Sequence, residues 1–403
     1  MAPISKSLLL VILLVGAASA TDLTAPDGQT DDRFGFSLSI DGNTLAITGA
    51  FVYGFPGGRT AWVYQKGADN SWSDPVLVAE LTASNGDRLQ GVAVSGNTIV
   101  VGAPAATVNG VQLQGCAYVF VEGAGGWKNT HETAQLTSSD GYFNDAFGYS
   151  VAIQKDTIVV GALQAGTVGQ GEAYVFSKPT AGWASTTETA RLLSSNGQKN
   201  DVLGLSVSVN GVVAAVGAPG AGNGNGAVYL YQETRGGWQN MTETAELTEG
   251  QSIPDEALGT SVVIEGVTVV TGAPNTSGDT GRALIYLKPA AGWQATTTPN
   301  AILTSRQLKP RGFGISVAIK NKLIVVGDLY ASAGSRKFSG AAFAYKKPAS
   351  GWSNATQSKK FVAAGINTGE SVGISDDKIV FMGAPGTTVN GNQEQGAVFL
   401  QPF

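Results

Sequence analysis

The stretch FGYSVAIQKDTIVVGA, residues 147–162, decides the fold of this chain. It contains two apolar runs, residues 147–153 and 157–162, that a short polar segment separates. Both runs are rich in β-branched residues and too short for a helix, so they predict two strands joined by a hairpin. The pattern occurs seven times, each time ending in Gly-Ala-Pro or a variant. These tripeptides begin at Gly49, Gly102, Gly161, Gly217, Gly272, Gly327 and Gly383.

Each repeat continues with two further strand-like segments. In the third repeat they are residues 171–176 and 189–193, and Gly182 and Trp183 lie between them. Four strands repeated seven times, with tripeptides 53 to 59 residues apart, predict an all-β fold, a seven-bladed β-propeller with four-stranded blades. The repeats start near residues 34, 89, 147, 203, 258, 313 and 369.

The two ends of the chain predict how the ring closes. The seventh repeat stops after its third strand, at residues 397–403, and residues 22–35 match the junction between the second and third repeats at 135–148. We therefore predict that the N-terminal strand supplies the outer strand of the last blade. Such a closure removes a free strand edge that would otherwise favour aggregation.

Residues 1–20 have the pattern of a secretory signal peptide, with Lys6 before an apolar run at 8–15 and Ala18-Ser19-Ala20 as a cleavage signal. We expect cleavage near Ala20 and a secreted, extracellular mature chain. Residues 21–403 are predicted to form a single propeller domain, because no linker interrupts the period. The candidate N-glycosylation sites are Asn240, Asn275 and Asn354.

Charge limits the classes of partner. The chain has a net charge of −5 and no run of Lys and Arg, which argues against nucleic acid and against an anionic membrane surface. No later segment is long and apolar enough to span a bilayer. We expect a monomer without a cofactor, whose partner is an extracellular protein or carbohydrate ligand.

Phe-Gly pairs precede the first strands at Phe34, Phe147 and Phe313, and Gly-Ala-Pro follows the second strands. With these motifs the chain resembles the FG-GAP repeat family, which includes the seven-bladed β-propeller of integrin α subunits. The resemblance covers the mature chain and implies a ring that presents loops to extracellular ligands. Leu replaces Phe before Gly204 and Gly259, and the second repeat has Leu89-Gln90-Gly91.

The resemblance also implies calcium sites, which integrin propellers place between the first and second strands of several blades. The corresponding segments here are short, such as Asn210-Gly211, and do not offer the six or more oxygen ligands that calcium takes. We therefore predict no metal site in these hairpins.

The most variable segments predict one ligand-binding face. Loops after the second strands and connections from one blade to the next open on the same rim, here called the long-loop face. The largest loops span residues 50–58, 103–114, 329–339 and 384–395. Loops on a rigid scaffold commonly carry binding specificity. The candidate binding residues are Phe51, Tyr53, Phe55, Tyr330 and Phe338.

Acidic residues recur just before the first strands of five repeats. Near the central axis they could hold a cation or a basic side chain; alternatively, each accepts hydrogen bonds from its own turn, and we favour this structural role. This acidic rim comprises Asp32, Asp87, Asp145, Asp201 and Glu256. Six recurring tryptophans, of which Trp127 is one, either stack on sugars or, as we favour, pack between blades.

Catalytic residues are scarce. The single His, His131, and the single Cys, Cys116, occupy positions where other repeats carry unrelated residues, so neither indicates a catalytic site. A Ser-His-Asp triad at a shared face is excluded, and we predict that the protein is not an enzyme. Two alternatives remain, a glycan-active enzyme that uses rim carboxylates and a structural component of a cell wall or matrix.

Overall fold

A computed structural model describes residues 21–50, 58–250, 255–275, 281–306, 312–332 and 339–403. Their strands form seven antiparallel sheets in a ring, so the predicted seven-bladed β-propeller is confirmed. The N-terminal strand is β1 (Thr21–Leu23). Blades 1 and 2 contain β2 (Ser37–Asp41), β3 (Thr44–Thr48), β4 (Thr60–Gln65), β5 (Val76–Thr82), β6 (Val92–Ser95), β7 (Thr98–Ala103), β8 (Cys116–Val121) and β9 (Ala134–Thr137).

The remaining blades follow the same plan. Blade 3 contains β10 (Phe147–Gln154), β11 (Thr157–Ala162), β12 (Glu172–Ser177), β13 (Thr186–Thr187) and β14 (Ala190–Leu193). Blade 4 contains β15 (Ser206–Asn210), β16 (Val213–Ala218), the short turn α1 (Ala221–Gly224), β17 (Ala227–Gln232), β18 (Met241–Thr242) and β19 (Ala245–Leu247). Blade 5 contains β20 (Ser261–Glu265), β21 (Thr268–Ala273), β22 (Arg282–Leu287) and β23 (Ala301–Thr304). Blades 6 and 7 contain β24 (Phe313–Lys320), β25 (Leu323–Asp328), β26 (Ala341–Lys346), β27 (Ala355–Thr356), β28 (Lys359–Phe361), β29 (Val372–Ile374), β30 (Ile379–Ala384) and β31 (Ala397–Pro402).

The N-terminal strand closes the ring, as the repeat pattern predicts. β1 pairs antiparallel with β31 of blade 7, with Asp22 opposite Phe399 and Leu23 opposite Val398. Leu23 is buried in an apolar cluster that contains Trp72 of blade 1 and Phe381 of blade 7. The first and last blades are therefore joined by backbone pairing as well as by side-chain packing.

Neighbouring blades are also tied at their outer edges. The short strands β13, β18 and β27 each pair in parallel with the outer strand of the preceding blade. A tryptophan lies before each of them, and Trp127, Trp183, Trp238 and Trp293 are buried in clusters that join two successive blades. This arrangement is the one that the packing interpretation of the tryptophans predicts, because each ring removes a large apolar area from water.

At the inner end, six of the seven blades contact the next blade through a glycine. A Cβ built on the Gly-Ala-Pro glycine would lie 1.8 to 2.0 Å from a carbonyl oxygen of the following blade, which no side chain tolerates. The pairs are Gly102 with Gly148, Gly161 with Gly204, Gly217 with Gly259, Gly272 with Gly314, Gly327 with Gly369, and Gly383 with Gly35. Backbones touch there because the penultimate residue of the second strand is glycine.

A serine on the first strand of five blades supports the same contact. Ser150 Oγ donates to the carbonyl of Gly204 at 2.7 Å, which is the carbonyl that Gly161 approaches. The equivalent donors in blades 4 to 7 are Ser206, Ser261, Ser316 and Ser371. Because these hydroxyls are used between blades, they contribute to the ring rather than to a ligand site.

Blades 1 and 2 depart from this pattern in a coupled way. Strand register places Thr48, and not Gly49, at the position of the Gly-Ala-Pro glycine, since Ser37 pairs with Thr48 as Ser206 pairs with Gly217. Gln90 of blade 2 takes the place of the Phe-Gly glycine, and Thr48 Oγ1 donates to its carbonyl. Thr48, which is larger than glycine, thus contacts Gln90 of blade 2, the blade that lacks the Phe-Gly glycine.

We expect Gly272→Ala to destabilise the propeller, because its Cβ would lie 1.8 Å from the carbonyl oxygen of Gly314 and the two blades would have to separate. Overpacking of this kind costs about 3 kcal/mol. Urea denaturation followed by intrinsic fluorescence measures the change. Gly123→Ala is the control, because no atom lies within 4 Å of its added Cβ; equal stabilities of the two variants would contradict the prediction.

Candidate functional site

The first strands of the seven blades line a central channel of about 260 Å³. Its wall repeats one triplet per blade, such as Leu205-Ser206-Val207 in blade 4 and Glu370-Ser371-Val372 in blade 7. The residue before the serine varies most. In blade order it is Phe36, Gln90, Tyr149, Leu205, Thr260, Ile315 and Glu370, with Gly91 in place of the serine in blade 2.

Three residues of the acidic rim bond to their own turns. Asp32 Oδ2 accepts the N–H of Gln29 at 2.6 Å, and Asp145 Oδ2 accepts that of Tyr142 at 2.6 Å. Asp201 Oδ2 accepts the N–H of the residue three positions earlier, at 2.7 Å. Each carboxylate caps a turn that enters the first strand, which is the structural role considered from the sequence.

The other two rim residues make side-chain contacts. Asp87 Oδ2 accepts a hydrogen bond from the Tyr118 hydroxyl at 2.6 Å. Glu256 is buried beside Glu249, and Arg282 Nη1 lies 3.0 Å from Glu249 Oε1. Burial, together with the neighbouring Glu249, raises the pKa of Glu256 to about 8.

The channel wall contains none of the five rim residues. The carboxylate that lines it is Glu370, a residue that the sequence comparison did not select. Burial raises its pKa to about 7, and Arg33 acts in the opposite direction. Glu370 could have been recognised from the sequence, because it is the acidic residue at a position where the other repeats carry Phe, Gln, Tyr, Leu, Thr or Ile.

The exposed aromatic side chains of the described residues all lie on the long-loop face. Tyr142 is 76% exposed and Phe143 is 66% exposed, in the connection between blades 2 and 3. Tyr330, a candidate from the sequence, is 46% exposed in the loop after β25. The other candidates, Phe51, Tyr53, Phe55 and Phe338, lie outside the described residues.

Tyr142 and Phe143 were missed because they belong to an inter-blade connection rather than to a loop after Gly-Ala-Pro. Their loop is held on both sides: Asn144 N–H donates to the carbonyl of Gln112 in blade 2, and Asn144 Nδ2 donates to Gln164 Oε1 in blade 3. The sequence Tyr142-Phe143-Asn144 could have indicated a binding site, because two adjacent aromatic residues in a connecting loop are expected to be exposed, and exposed aromatic residues are common at interfaces.

Two hollows open on the long-loop face. The first, about 250 Å³, is bordered by Pro104, Leu113, Ala146 and Leu163 between blades 2 and 3. The second, about 640 Å³, lies between blades 3 and 4. Polar groups dominate its lining, which includes Asn196, Gln198, Lys199, Asn200, Asp201, Asn223 and Asp255. An aromatic pair, an apolar hollow and a polar cleft therefore occupy neighbouring positions on one face.

The residues with intrinsic reactivity lie elsewhere. Cys116 is fully buried at the start of β8, and burial raises the pKa of its thiol to about 12. His131 is exposed at the outer edge, where its Nδ1 lies 3.2 Å from Thr82 Oγ1. Among the described residues, no group of three or more His, Cys, Asp and Glu side chains is arranged to hold a metal ion.

All three sequon asparagines are exposed. Asn240 Oδ1 accepts the N–H of Arg191, and Asn354 Oδ1 accepts that of Ile302, so both side chains tie one blade to the preceding outer strand. A glycan would attach to Nδ2 and leave the accepting oxygen in place. The residues that follow Asn275 lie outside the described ranges.

Comparison with known proteins agrees with the fold. The FG-GAP repeat model matches residues 18–64, 130–176 and 186–231. These three segments of the chain therefore match the FG-GAP repeat. A search of curated proteins finds no match to its sequence. A solved structure titled "Kuenenia stuttgartiensis Hydrazine Synthase" is similar over 94% of this chain and 99% of the other, with 13% identity and a TM-score of 0.54. At this identity the similarity concerns the fold alone.

Within the described part of the chain, no helix has the length and apolarity needed to cross a membrane.

One repeat carries an unusual buried charge. In blade 6 the motif becomes Gly327-Asp328-Leu329, and Asp328 has no exposed surface. Asp328 Oδ1 accepts the N–H of Tyr330 at 3.1 Å, while Oδ2 has no partner. Burial raises the pKa of this carboxyl to about 7.

We expect Asp328→Ala, which installs the usual motif residue, to stabilise the protein at pH 8. The folded protein holds the Asp328 proton more tightly than the unfolded chain, so the free energy of unfolding falls as pH rises from about 4 to about 7 and then levels off. A carboxyl shifted this far costs about 2–4 kcal/mol when ionised.

Urea denaturation between pH 4 and pH 8 measures this effect. The wild type should lose stability with rising pH more steeply than Asp328→Ala, although Glu256 and Glu370 add a slope of the same sign to both proteins. Asp74→Asn, on an exposed side chain, should keep the wild-type slope. Parallel curves for wild type and Asp328→Ala would rule out this role for Asp328.

Proposed function

We propose that this FG-GAP propeller is a secreted, non-enzymatic recognition protein that binds an extracellular protein or glycan ligand through its long-loop face. The observation that carries the proposal is the exposure of Tyr142, Phe143 and Tyr330 on that face. Elsewhere in the described residues, aromatic side chains are at least partly buried. An exposed aromatic pair loses apolar hydration when a partner covers it, which favours binding.

The surroundings of the pair support ligand binding. The apolar hollow shares the loop of Asn144 and Ala146 with Tyr142 and Phe143, and the polar cleft offers side-chain amides and carboxylates one blade further on. Interfaces commonly combine an aromatic anchor with a polar rim of hydrogen-bonding groups. The rim carboxylates Asp145 and Asp201 cap turns in different blades, so their roles in this structure favour a binding protein over an enzyme that uses them.

A screen of extracellular proteins and glycans with the purified mature chain tests the proposal. We expect the double variant Tyr142→Ala, Phe143→Ala to weaken the best ligand about thirtyfold, the effect of losing an aromatic hot spot. Val212→Ala and Val267→Ala, which shorten exposed apolar side chains on the opposite face, should leave affinity unchanged. A ligand that binds the double variant as tightly as wild type would refute this assignment of the face.

Secretion is tested separately. When the full chain is expressed in a secreting host, mass spectrometry of the culture medium should find a protein that begins near Thr21, because signal peptidase cuts after small residues such as Ala20. A chain without residues 2–20 should stay inside the cell. Recovery of the uncleaved full chain from the cell interior would contradict the proposed location.

A further inference from the structure

Basic residues are concentrated in one part of this acidic chain. Residues 288–378 contain 13 of the 25 Lys and Arg but only 4 of the 30 Asp and Glu. This segment therefore carries a net charge of +9, and the rest of the chain carries −14. The segment runs from the end of blade 5 through blade 6 to the start of blade 7. No single run of basic residues marks it.

The strands bring lysines of blade 6 to the face opposite the long-loop face, here called the hairpin face. Across the first hairpin, Lys320 pairs with Leu323, and Leu323 pairs in turn with Lys346 of β26. The N–H of Lys347 donates to the carbonyl of Lys322 at 2.8 Å. The four lysines thus lie at one end of blade 6, on or next to three adjacent strands that are about 5 Å apart.

Neighbouring blades extend this group. Lys288 in blade 5 donates its N–H to Val267 at 2.8 Å, the contact that Lys347 makes in blade 6, and Lys378 accepts the N–H of Phe403 in blade 7 at 3.0 Å. Lys359 Nζ reaches the carbonyl of Pro402 at 2.6 Å. The lysine patch therefore comprises Lys288, Lys320, Lys322, Lys346, Lys347, Lys359 and Lys378.

Few acidic groups neutralise the patch. Asp376 Oδ1 lies 3.2 Å from Lys320 Nζ, and Asp377 is bound instead by Lys66 of blade 1, at 2.6 Å. Glu265 accepts the N–H of Asn321. In the described part of the chain, the remaining lysines form no ion pair. They are Lys288, Lys322, Lys346, Lys347, Lys359 and Lys378.

The fold does not require lysine at these positions. The residues equivalent to Lys346 and Lys347 are Val121 and Glu122 in blade 2, although the Lys347 position also carries lysine in three other blades, at Lys66, Lys178 and Lys288. At the position of Lys359 the other complete blades carry a buried alanine, such as Ala190, which packs between sheets. Lys346 and Lys359 are therefore particular to blade 6, whereas lysine at the Lys347 position recurs in the repeat.

We infer that the lysine patch binds an acidic polysaccharide, a chain of carboxylated or sulfated sugars. The patch is distinct from the long-loop face. The inference rests on the proposed function in one respect only, the extracellular location, where such glycans are abundant polyanions. All seven residues are Lys rather than Arg, and no exposed aromatic side chain of the described residues lies on this face. Nucleic-acid sites typically use Arg forks and aromatic stacking, so the composition favours a glycan.

Binding of the mature chain to heparin and to polygalacturonate tests the inference. We expect binding at low salt that weakens as NaCl is added, because the contacts are exposed charges. The triple variant Lys322→Gln, Lys346→Gln, Lys347→Gln should lose about tenfold or more in affinity. The control Lys128→Gln, Lys155→Gln, Lys178→Gln removes three charges from blades 2 and 3 and should bind like wild type.

Three results would overturn the inference. One is an absence of binding to both polysaccharides at low salt, and another is an equal loss in the patch and control variants, which would indicate net charge alone. The third is that a DNA duplex binds as tightly as heparin and that the patch variant loses this DNA binding. The variant Tyr142→Ala, Phe143→Ala should keep heparin binding. A failure of the proposed long-loop-face function can therefore be told apart from a failure of the lysine-patch inference.

Discussion

The contact between a second-strand glycine and a carbonyl oxygen of the next blade sets the geometry of the whole ring. At Gly161 and Gly217 the two backbones meet with no side chain between them, and a serine hydroxyl binds the same carbonyl. This contact recurs at six of the seven junctions. Outer packing by tryptophans and the pairing of β1 with β31 then hold the circle closed.

The residues that hold the blades together differ from those that are free to bind a ligand, which limits where a binding site can lie. The serines, the buried tryptophans and three rim aspartates act between or within blades, so substitution there changes stability before it changes recognition. Side chains outside these contacts differ from repeat to repeat. The aromatic pair Tyr142 and Phe143 and the lysines of blade 6 belong to this second group, on opposite faces of the ring. A rigid scaffold of this kind can present two chemically different surfaces without one disturbing the other.

Comparison of the repeats with one another predicted most of the architecture. It identified the strands, their number and the N-terminal closure, because period and apolar pattern depend on local sequence. It missed one register detail, since Thr48 rather than Gly49 occupies the glycine position, and only pairing with Ser37 reveals this. For the candidate site, Tyr330 is exposed as expected, whereas Tyr142, Phe143 and Glu370 were found only from their exposure or their place in the channel.

The sequence by itself determined a seven-bladed, all-β ring with an N-terminal clasp, because strand length, turn residues and repeat spacing are properties of neighbouring residues. The tertiary structure decided which side chains meet. It placed the carboxylates of Asp32, Asp145 and Asp201 on their own turns, which is the role that the sequence favoured over an axial ring. It also gathered lysines spread over some ninety positions onto one face, since antiparallel strands bring distant residues to the same end of a sheet.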